Sequence, residues 1–109
     1  MIIENKDLPL NKLSIAHVEI NFLTRSVFFW GEPLITTGLE FNLLTLLMKN
    51  AGVIVSRKMI ADKVFNRALD RCNQSINCHI TNLRKKFELN SLKPIIKTVR
   101  GKGYIFLID

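Results

Sequence analysis

Apolar and polar residues alternate in the first third of the chain, which predicts short β-strands. Small or apolar residues alternate with polar ones in "AHVEI" at 16–20. The β-branched and aromatic stretch "SVFFW" predicts a second strand, "GEP" a turn after it, and "LIT" a third strand. Such short strands predict a small antiparallel sheet. Because residues 1–13 are polar and contain Pro9, we expect a linker or tail there, and a folded domain over 14–109.

The apolar spacing becomes helical after Thr37. "TGLE" is a capping box, in which Thr37 caps a helix and Glu40 reaches back to it. A wide apolar stripe then runs to Met48, and Gly52 can take the left-handed position that ends a helix. Ser56 predicts the cap of a second helix, which "NRALDR" interrupts.

The last third of the chain predicts one long helix and a hairpin. The helix is predicted over 72–88, and Pro94 prevents it from continuing. "IIKTV" and "YIFLI" predict two strands of a wing over 95–107, and "RGKG" predicts the turn between them. The predicted fold class is therefore α+β: a winged helix-turn-helix with an N-terminal antiparallel sheet, a three-helix core and a C-terminal β-hairpin wing.

The third helix has two contrasting faces, because each residue rotates the side chain by about 100°. The predicted buried stripe is apolar and consists of Ile76, Ile80, Leu83 and Phe87. The opposite face carries polar, small and basic residues: Gln74, Cys78, Thr81 and Lys85, with Asn77 and Asn82 beside them. A solvated helix face normally mixes Glu with Lys, yet no acid occurs here before Glu88. Amides, hydroxyls and bases suit base edges, which favours major-groove recognition over a plain polar face.

The net charge of +7 is concentrated in the second half of the chain. Residues 1–56 contain four basic and five acidic residues, whereas residues 57–109 contain twelve basic and four acidic ones. This asymmetry predicts a surface that faces a polyanion, built by the second half. Charge alone leaves open a nucleic acid, an anionic membrane, an acidic protein or a basic face with no partner.

Other classes of function have little support in the sequence. The sequence contains no GxSxG, Walker or HExxH motif, so we expect a non-catalytic module rather than an enzyme. Cys72 and Cys78 match no zinc spacing and predict free thiols, while His79 and His17 lie far apart in sequence. We therefore expect no metal and no cofactor. A cytoplasmic location is expected, because no apolar run reaches the roughly 20 residues of a membrane span and no signal peptide is apparent.

Three stretches resemble the DNA-binding effector domain of OmpR/PhoB-type response regulators: "TTGLEFNLLTLLMKNAGVIVSRKMIADKVF", "INCHITNLRKKF" and "IIKTVRGKGYIF". They cover most of residues 16–107, and "FNLLTLLMKNAGVIVSR" and "HITNLRKKF" look closest to the CpxR-like subgroup. The resemblance implies a four-stranded N-terminal sheet, with the third helix in the major groove and the wing at the adjacent minor groove. The family often has Pro at the position of Gly38, an acid at the position of Asn77, and Arg near the position of Gln74. The last two departures predict a shifted base preference.

The candidate DNA contacts fall on the third helix, its surroundings and the wing. Carried over by position, the resemblance implies base or groove contacts for Gln74, Ser75, Cys78, His79, Thr81, Asn82, Arg84 and Arg100. Phosphate contacts are predicted for Arg57, Lys58, Lys85, Lys86, Lys97, Thr98 and Lys102. The resemblance also implies an RNA polymerase contact by the loop Asn66, Arg67, Ala68, Leu69, Asp70 and Arg71.

We therefore expect sequence-specific binding of double-stranded DNA by the effector domain of a bacterial two-component response regulator. Arg100 is expected in the minor groove. The domain is expected to be a monomer in isolation and a dimer on direct-repeat half-sites. A receiver domain is expected in the full-length protein, although this chain contains none. Two alternatives remain open: a winged-helix protein–protein interaction module and a nonspecific architectural DNA binder.

Overall fold

The computed structural model describes residues 11–88 and 94–108. Most of the predicted linker, residues 1–10, lies outside this range. The strands are β1 (Lys12–Ile15), β2 (Val18–Asn21), β3 (Ser26–Phe29), β4 (Glu32–Leu34), β5 (Val55–Ser56), β6 (Ile96–Val99) and β7 (Gly103–Phe106). The helices are α1 (Gly38–Lys49), α2 (Arg57–Ile60, continued by a π-helical segment, Ala61–Phe65) and α3 (Leu69–Glu88).

The N-terminal sheet contains four antiparallel strands in the order β1-β2-β3-β4. The family resemblance implied four strands, and this is confirmed. The prediction of one strand through "AHVEI" is wrong, because Ala16 and His17 form a turn with φ angles of 53° and 66°. The turn predicted at "GEP" includes Gly31 but begins one residue earlier: Trp30 and Gly31 form the turn, and Glu32 and Pro33 already belong to β4.

Helix α1 begins and ends as its sequence predicts. The Thr37 hydroxyl accepts from the Glu40 N–H at 3.1 Å, and the Thr37 N–H donates to the Glu40 carboxylate at 3.0 Å. Gly52 follows the helix with a φ of 81°, and its N–H donates to the carbonyl of Phe106. This bond places the end of α1 against β7.

Helices α2 and α3 meet across a short connection. Ser56 caps α2 as predicted, with its hydroxyl 3.0 Å from the Met59 nitrogen. Asn66 adopts a left-handed conformation that ends the π-helical segment, with a φ of 55°. Since the preceding helix stops so sharply, α3 can begin at Leu69, three residues before the predicted start at Cys72.

The predicted apolar stripe of α3 forms part of the core. Ile76, Ile80, Leu83 and Phe87 are all buried, as predicted, and the edge of the Phe87 ring packs against Phe29 of β3 with centroids 5.1 Å apart. The stripe therefore fixes one side of α3 against the protein and leaves the opposite side at the surface. Among the residues described, no helix is long and apolar enough to cross a membrane.

The wing is part of a three-stranded sheet in the order β5-β7-β6. The sequence predicted its two long strands but only an extended link where β5 lies. Val55 pairs with Tyr104, and Ser56 with Gly103. Because a Cβ atom at Gly103 would overlap the carbonyl oxygen of Val55, this close pairing requires glycine. The base of the wing is thus attached directly to the N-terminus of α2.

Candidate nucleic-acid interface

The outward face of α3 is exposed over several turns. Its exposed side chains include Gln74, Ser75, Cys78, Thr81, Asn82 and Lys85. No acidic residue lies between Asp70 and Glu88, so the centre of this face carries no negative charge. The Asn82 amide lies 3.9 Å from the Cys78 sulfur, a contact that leaves its carbonyl oxygen available to accept. This face offers both donors and acceptors to a ligand.

His79 lies at the border of the exposed face. Its Nδ1 atom is 2.7 Å from the carbonyl oxygen of Ser75 and donates to it, which orients the ring. The ring edge packs against Phe65, with centroids 5.5 Å apart. Within the described part of the chain, no group of three His, Cys, Asp or Glu residues could hold a metal ion. The structure therefore gives His79 a packed position at the edge of the face.

The wing tip brings a second set of cations to the surface. Arg100, Lys102 and Lys97 are all exposed. The turn is closed by the Lys102 N–H, which donates to the Val99 carbonyl at 2.9 Å, and Gly101 occupies it with a φ of 75°. Over residues 11–88 and 94–108, none of these three cations forms an ion pair. They are therefore available to bind an anionic ligand.

A cleft of about 520 Å³ separates the wing from α2 and α3. Its lining includes Arg57, Lys58, Arg100 and Lys102, together with Asn77 of α3. Basic residues from two elements thus face one space, although they are more than 40 positions apart in the sequence. The fold itself joins the cations of α2 to those of the wing.

Several of the predicted contact residues already have partners within the protein. Arg84 donates from Nε to the Ile96 carbonyl at 3.1 Å and from its guanidinium to the Thr98 hydroxyl, which joins α3 to β6. Arg57 donates to side chains of α3 and to the Tyr104 hydroxyl. The contacts with DNA that the sequence predicts for Arg57, Arg84 and Thr98 stay predictions.

Two predicted phosphate-binding lysines also form ion pairs. The Lys58 amine lies 3.0 Å from the Asp62 carboxylate, at an exposed site. Lys86 pairs with Glu40, the buried capping residue of α1. Burial alone would raise the pKa of Glu40, but its bonds to Lys86 and to the Thr37 backbone lower the pKa below the ordinary value of 4.5. Among the lysines predicted to bind phosphate, Lys85 of α3 is exposed without such a pair in the described residues.

The predicted polymerase-contact loop is shorter than its sequence indicated. Asn66, Arg67 and Ala68 connect the π-helical segment to α3 and are exposed, whereas Leu69, Asp70 and Arg71 form the first turn of α3. The Arg67 N–H donates back to the Ala61 carbonyl at 3.1 Å. This surface lies at the N-terminal end of the exposed helix face, and its predicted partner stays a prediction.

Comparison with known proteins places this arrangement in a family. Residues 31–106 match the family model described as "Transcriptional regulatory protein, C terminal". The chain belongs to this family, which is of the OmpR/PhoB type. Its members are regulators of transcription, so the prediction of a non-catalytic module is confirmed.

Three relatives illustrate how closely this OmpR/PhoB-type domain resembles known ones. The transcriptional regulatory protein CpxR of Escherichia coli (strain K12) is 33% identical over 95% of the chain and 45% of CpxR. The crystal structure of the E. coli CpxR DNA-binding domain has a TM-score of 0.79 at 34% identity, covering 88% of this chain and 95% of that one. The Klebsiella pneumoniae RstA DNA-binding domain, crystallised in complex with the RstA box, has a TM-score of 0.81 at 31% identity, covering 90% and 98%.

The OmpR/PhoB-type chain spans less than half the length of the curated relatives it matches, 45% in the case of CpxR. The winged-helix fold predicted from the sequence is confirmed by these comparisons. Three residues that contact Lys86 or Arg57 were not predicted as site residues: Glu40, Asn73 and Tyr104. The only local signal for Tyr104 was its place after the "RGKG" turn. Nothing local in the sequence linked Glu40 to Lys86 or Asn73 to Arg57.

Proposed function

We propose that this domain binds double-stranded DNA sequence-specifically, with α3 in the major groove and the wing at the adjacent minor groove. One observation carries the proposal: an exposed α3 face without acidic residues lies beside a wing tip whose cations are also exposed. A polar face on a helix of this kind fits the major groove, which is wide enough to admit an α-helix. A second basic element is then in place for the neighbouring groove or the phosphates.

The proposed contacts divide according to side-chain chemistry. The carboxamides of Gln74 and Asn82 can pair with adenine through two hydrogen bonds, and Ser75 and Thr81 can bind several base edges. Lys85 suits phosphate, because a lysine amine behaves as a compact point charge. Arg100 is proposed to enter the minor groove, most favourably where A·T tracts narrow it.

Relatives support the choice of DNA as ligand. The RstA domain, similar in fold and 31% identical, was crystallised with the RstA box. We further propose that this domain is the effector part of a two-component response regulator with a receiver domain elsewhere in the protein. We propose a cytoplasmic location, contact between residues 66–71 and RNA polymerase, and a monomer in isolation that pairs on direct repeats.

Selection of binding sites from a random duplex pool tests the proposal. The selected duplex and a scrambled duplex are then titrated at two salt concentrations. We expect a selected motif with A·T-rich flanks and an affinity for it at least about 1,000-fold above that for scrambled DNA. Equal affinity for both duplexes would indicate an architectural binder, and no binding at low salt would indicate a protein partner.

A matched pair of variants tests which surface faces the DNA. Lys85→Ala removes a cation from the exposed face of α3, whereas Lys12→Ala removes one from β1, where it pairs with Glu19 at 3.7 Å. In a log–log plot of affinity against salt, Lys85→Ala should reduce the slope by about one and Lys12→Ala should leave it unchanged. Equal slopes for both variants would contradict the proposed face.

A further inference from the structure

We propose that Arg57 is a positioning residue that fixes the wing relative to α3, and that it does so without contacting DNA phosphate itself. The inference rests on the proposed DNA binding, because the orientation of the wing matters only if Arg100 has a groove to enter. Arg57 is the first residue of α2 and lies between the two elements proposed to hold the DNA.

The guanidinium of Arg57 is hydrogen bonded on every nitrogen. Nε and one terminal nitrogen donate to the Asn73 amide oxygen at 3.2 and 2.9 Å, and the latter nitrogen also donates to the Asn73 carbonyl at 2.8 Å. The other terminal nitrogen donates to the Asn77 amide oxygen at 2.8 Å and to the Tyr104 hydroxyl at 2.7 Å. One rigid fork thus joins α2, α3 and β7.

Tyr104, at the base of the wing, accepts a hydrogen bond from Arg57. It is only 6% exposed, and its hydroxyl donates onward to the Asn77 amide oxygen at 3.4 Å. The guanidinium carbons of Arg57 and Arg84 lie 5.9 and 5.7 Å from the centre of the Tyr104 ring, within the range of cation–π attraction. Since Arg84 also bonds to β6, both strands of the wing are attached to α3 through an arginine.

The chemistry of the hydrogen-bond acceptors of Arg57 favours a positioning role over phosphate binding. Within the described residues, the acceptors of Arg57 are amide, carbonyl and hydroxyl oxygens, so no carboxylate neutralises its charge. A guanidinium has five N–H groups, and those of Arg57 already donate to acceptors within the protein. A phosphate could accept hydrogen bonds from them only by displacing these acceptors. Displacement would break the bond between Arg57 and β7 and leave Arg84 as the side chain that joins α3 to the wing. Arg57 therefore supports DNA binding best by holding Arg100 at a fixed distance from the exposed face of α3.

A double-mutant cycle tests the positioning role on the selected duplex. Arg100→Ala should lower affinity about tenfold in the wild-type background. In an Arg57→Gln background, in which the Arg57 bonds to β7 and α3 are lost, the same change should cost less than about twofold. Additive losses, accompanied by a salt slope that falls by about one for Arg57→Gln alone, would overturn the proposal and establish a direct phosphate contact.

Two further variants serve as controls within the same cycle. Lys58→Gln removes the neighbouring cation, which pairs with Asp62 and has no bond to the wing, so its effect should add to that of Arg100→Ala. Tyr104→Phe removes only the hydroxyl and should reproduce part of the Arg57→Gln coupling. It also replaces Arg57→Gln if that variant does not fold, as judged by circular dichroism.

Amide hydrogen exchange of the free protein tests the geometry without DNA. Arg57→Gln should accelerate exchange in β6 and β7 by at least about tenfold and leave the β2–β3 amides of the N-terminal sheet unchanged. Wild-type protection of the wing in this variant would overturn the proposal. If the wild-type protein binds no duplex, the proposed DNA binding is wrong. The exchange rates of the free protein still show, independently of DNA, whether Arg57 fixes the wing.

Discussion

At the scale of single residues, the carboxamides of Gln74 and Asn82 on α3 provide the most direct test of base recognition. Gln74→Ala or Asn82→Ala should relax base preference at one position of the site by about 1–3 kcal/mol, because a bidentate pair is lost. Affinities for a panel of duplexes with single base changes measure this effect. An equal loss of affinity across all duplexes would make these residues phosphate contacts.

The neutral side chain of Asn77 accepts a hydrogen bond from Arg57, so a substitution at this position can place a negative charge beside the guanidinium. Asn77→Asp should raise the free energy of unfolding by about 1 kcal/mol, because charge-assisted hydrogen bonds are stronger than neutral ones. It should also lower DNA affinity at low salt by about tenfold, since it places a negative charge beside the proposed DNA face. Thermal unfolding and duplex titration measure the two effects.

The matched control for Asn77→Asp lies on α1. The Asn42 amide oxygen accepts from the Arg25 guanidinium at 2.9 Å, in an arrangement of the same kind on another surface. Asn42→Asp should stabilise the fold similarly and leave DNA affinity nearly unchanged. A similar loss of affinity in both variants would show that net charge, and not its location, governs binding.

The sequence predicts which residues of α3 face outward but not what each side chain contacts. Helical rotation alone separates Gln74 from Ile76, because both the buried and the exposed faces repeat with a known period. The bond between Arg57 and Tyr104 joins residues 47 positions apart. No local pattern encodes that bond, so Arg57 and Lys58 look alike in the sequence although they have different partners in the structure.

At the scale of secondary-structure elements, the wing requires glycine at position 103, because a Cβ atom there would overlap β5. Gly103→Ala should destabilise the domain by about 3 kcal/mol or more, because its Cβ would overlap β5 and the backbone has a φ of 151°. Gly101→Ala is the control: its φ is 75°, but its Cβ would have no neighbour within 4 Å, so about 1 kcal/mol is expected. Urea unfolding compares them, and equal losses would contradict the packing argument.

The ion pair between α1 and α3 makes stability depend on pH. The folded pKa of Glu40 is lowered, so its contribution is complete above the ordinary pKa of 4.5 and is lost as the pH falls through the folded value. Glu40→Gln should cost about 2 kcal/mol at pH 7, and this difference should shrink below pH 4.5. Urea unfolding between pH 7 and 3 measures it. A difference independent of pH would assign the loss to packing.

The helices and strands are predicted correctly where the chemistry of neighbouring side chains determines them. The capping residues Thr37 and Ser56 have side chains that satisfy the first N–H groups of a helix, and both lie where the sequence places them. The turn at Ala16 and His17 was missed because neither residue is Gly, Asn, Asp or Pro. Strand β5 was missed because its two residues, Val55 and Ser56, are too few to show an alternating apolar pattern. Only their pairing with β7 defines them as a strand.

At the scale of the whole molecule, the proposed DNA face of a single domain consists of α3 and the wing, so useful affinity is expected from two copies. On a duplex with two direct-repeat half-sites about 10 base pairs apart, both domains lie on the same side of the DNA. Binding there should exceed binding at a 15-base-pair spacing by about tenfold. Electrophoretic mobility shifts on a series of spacings measure this, and independence from spacing would indicate that the two domains do not contact each other.

The pairing of β5 with β7 also constrains how the domain can form during synthesis. Val55 and Tyr104 are direct neighbours in the sheet, although 48 residues separate them along the chain. The N-terminal sheet and α1 can assemble from local pairings while translation continues, whereas α2 gains its fixed position only after the RGKGY segment has left the ribosome. A nascent chain that lacks this segment therefore has neither β7 nor the pairing that joins the wing to the N-terminus of α2.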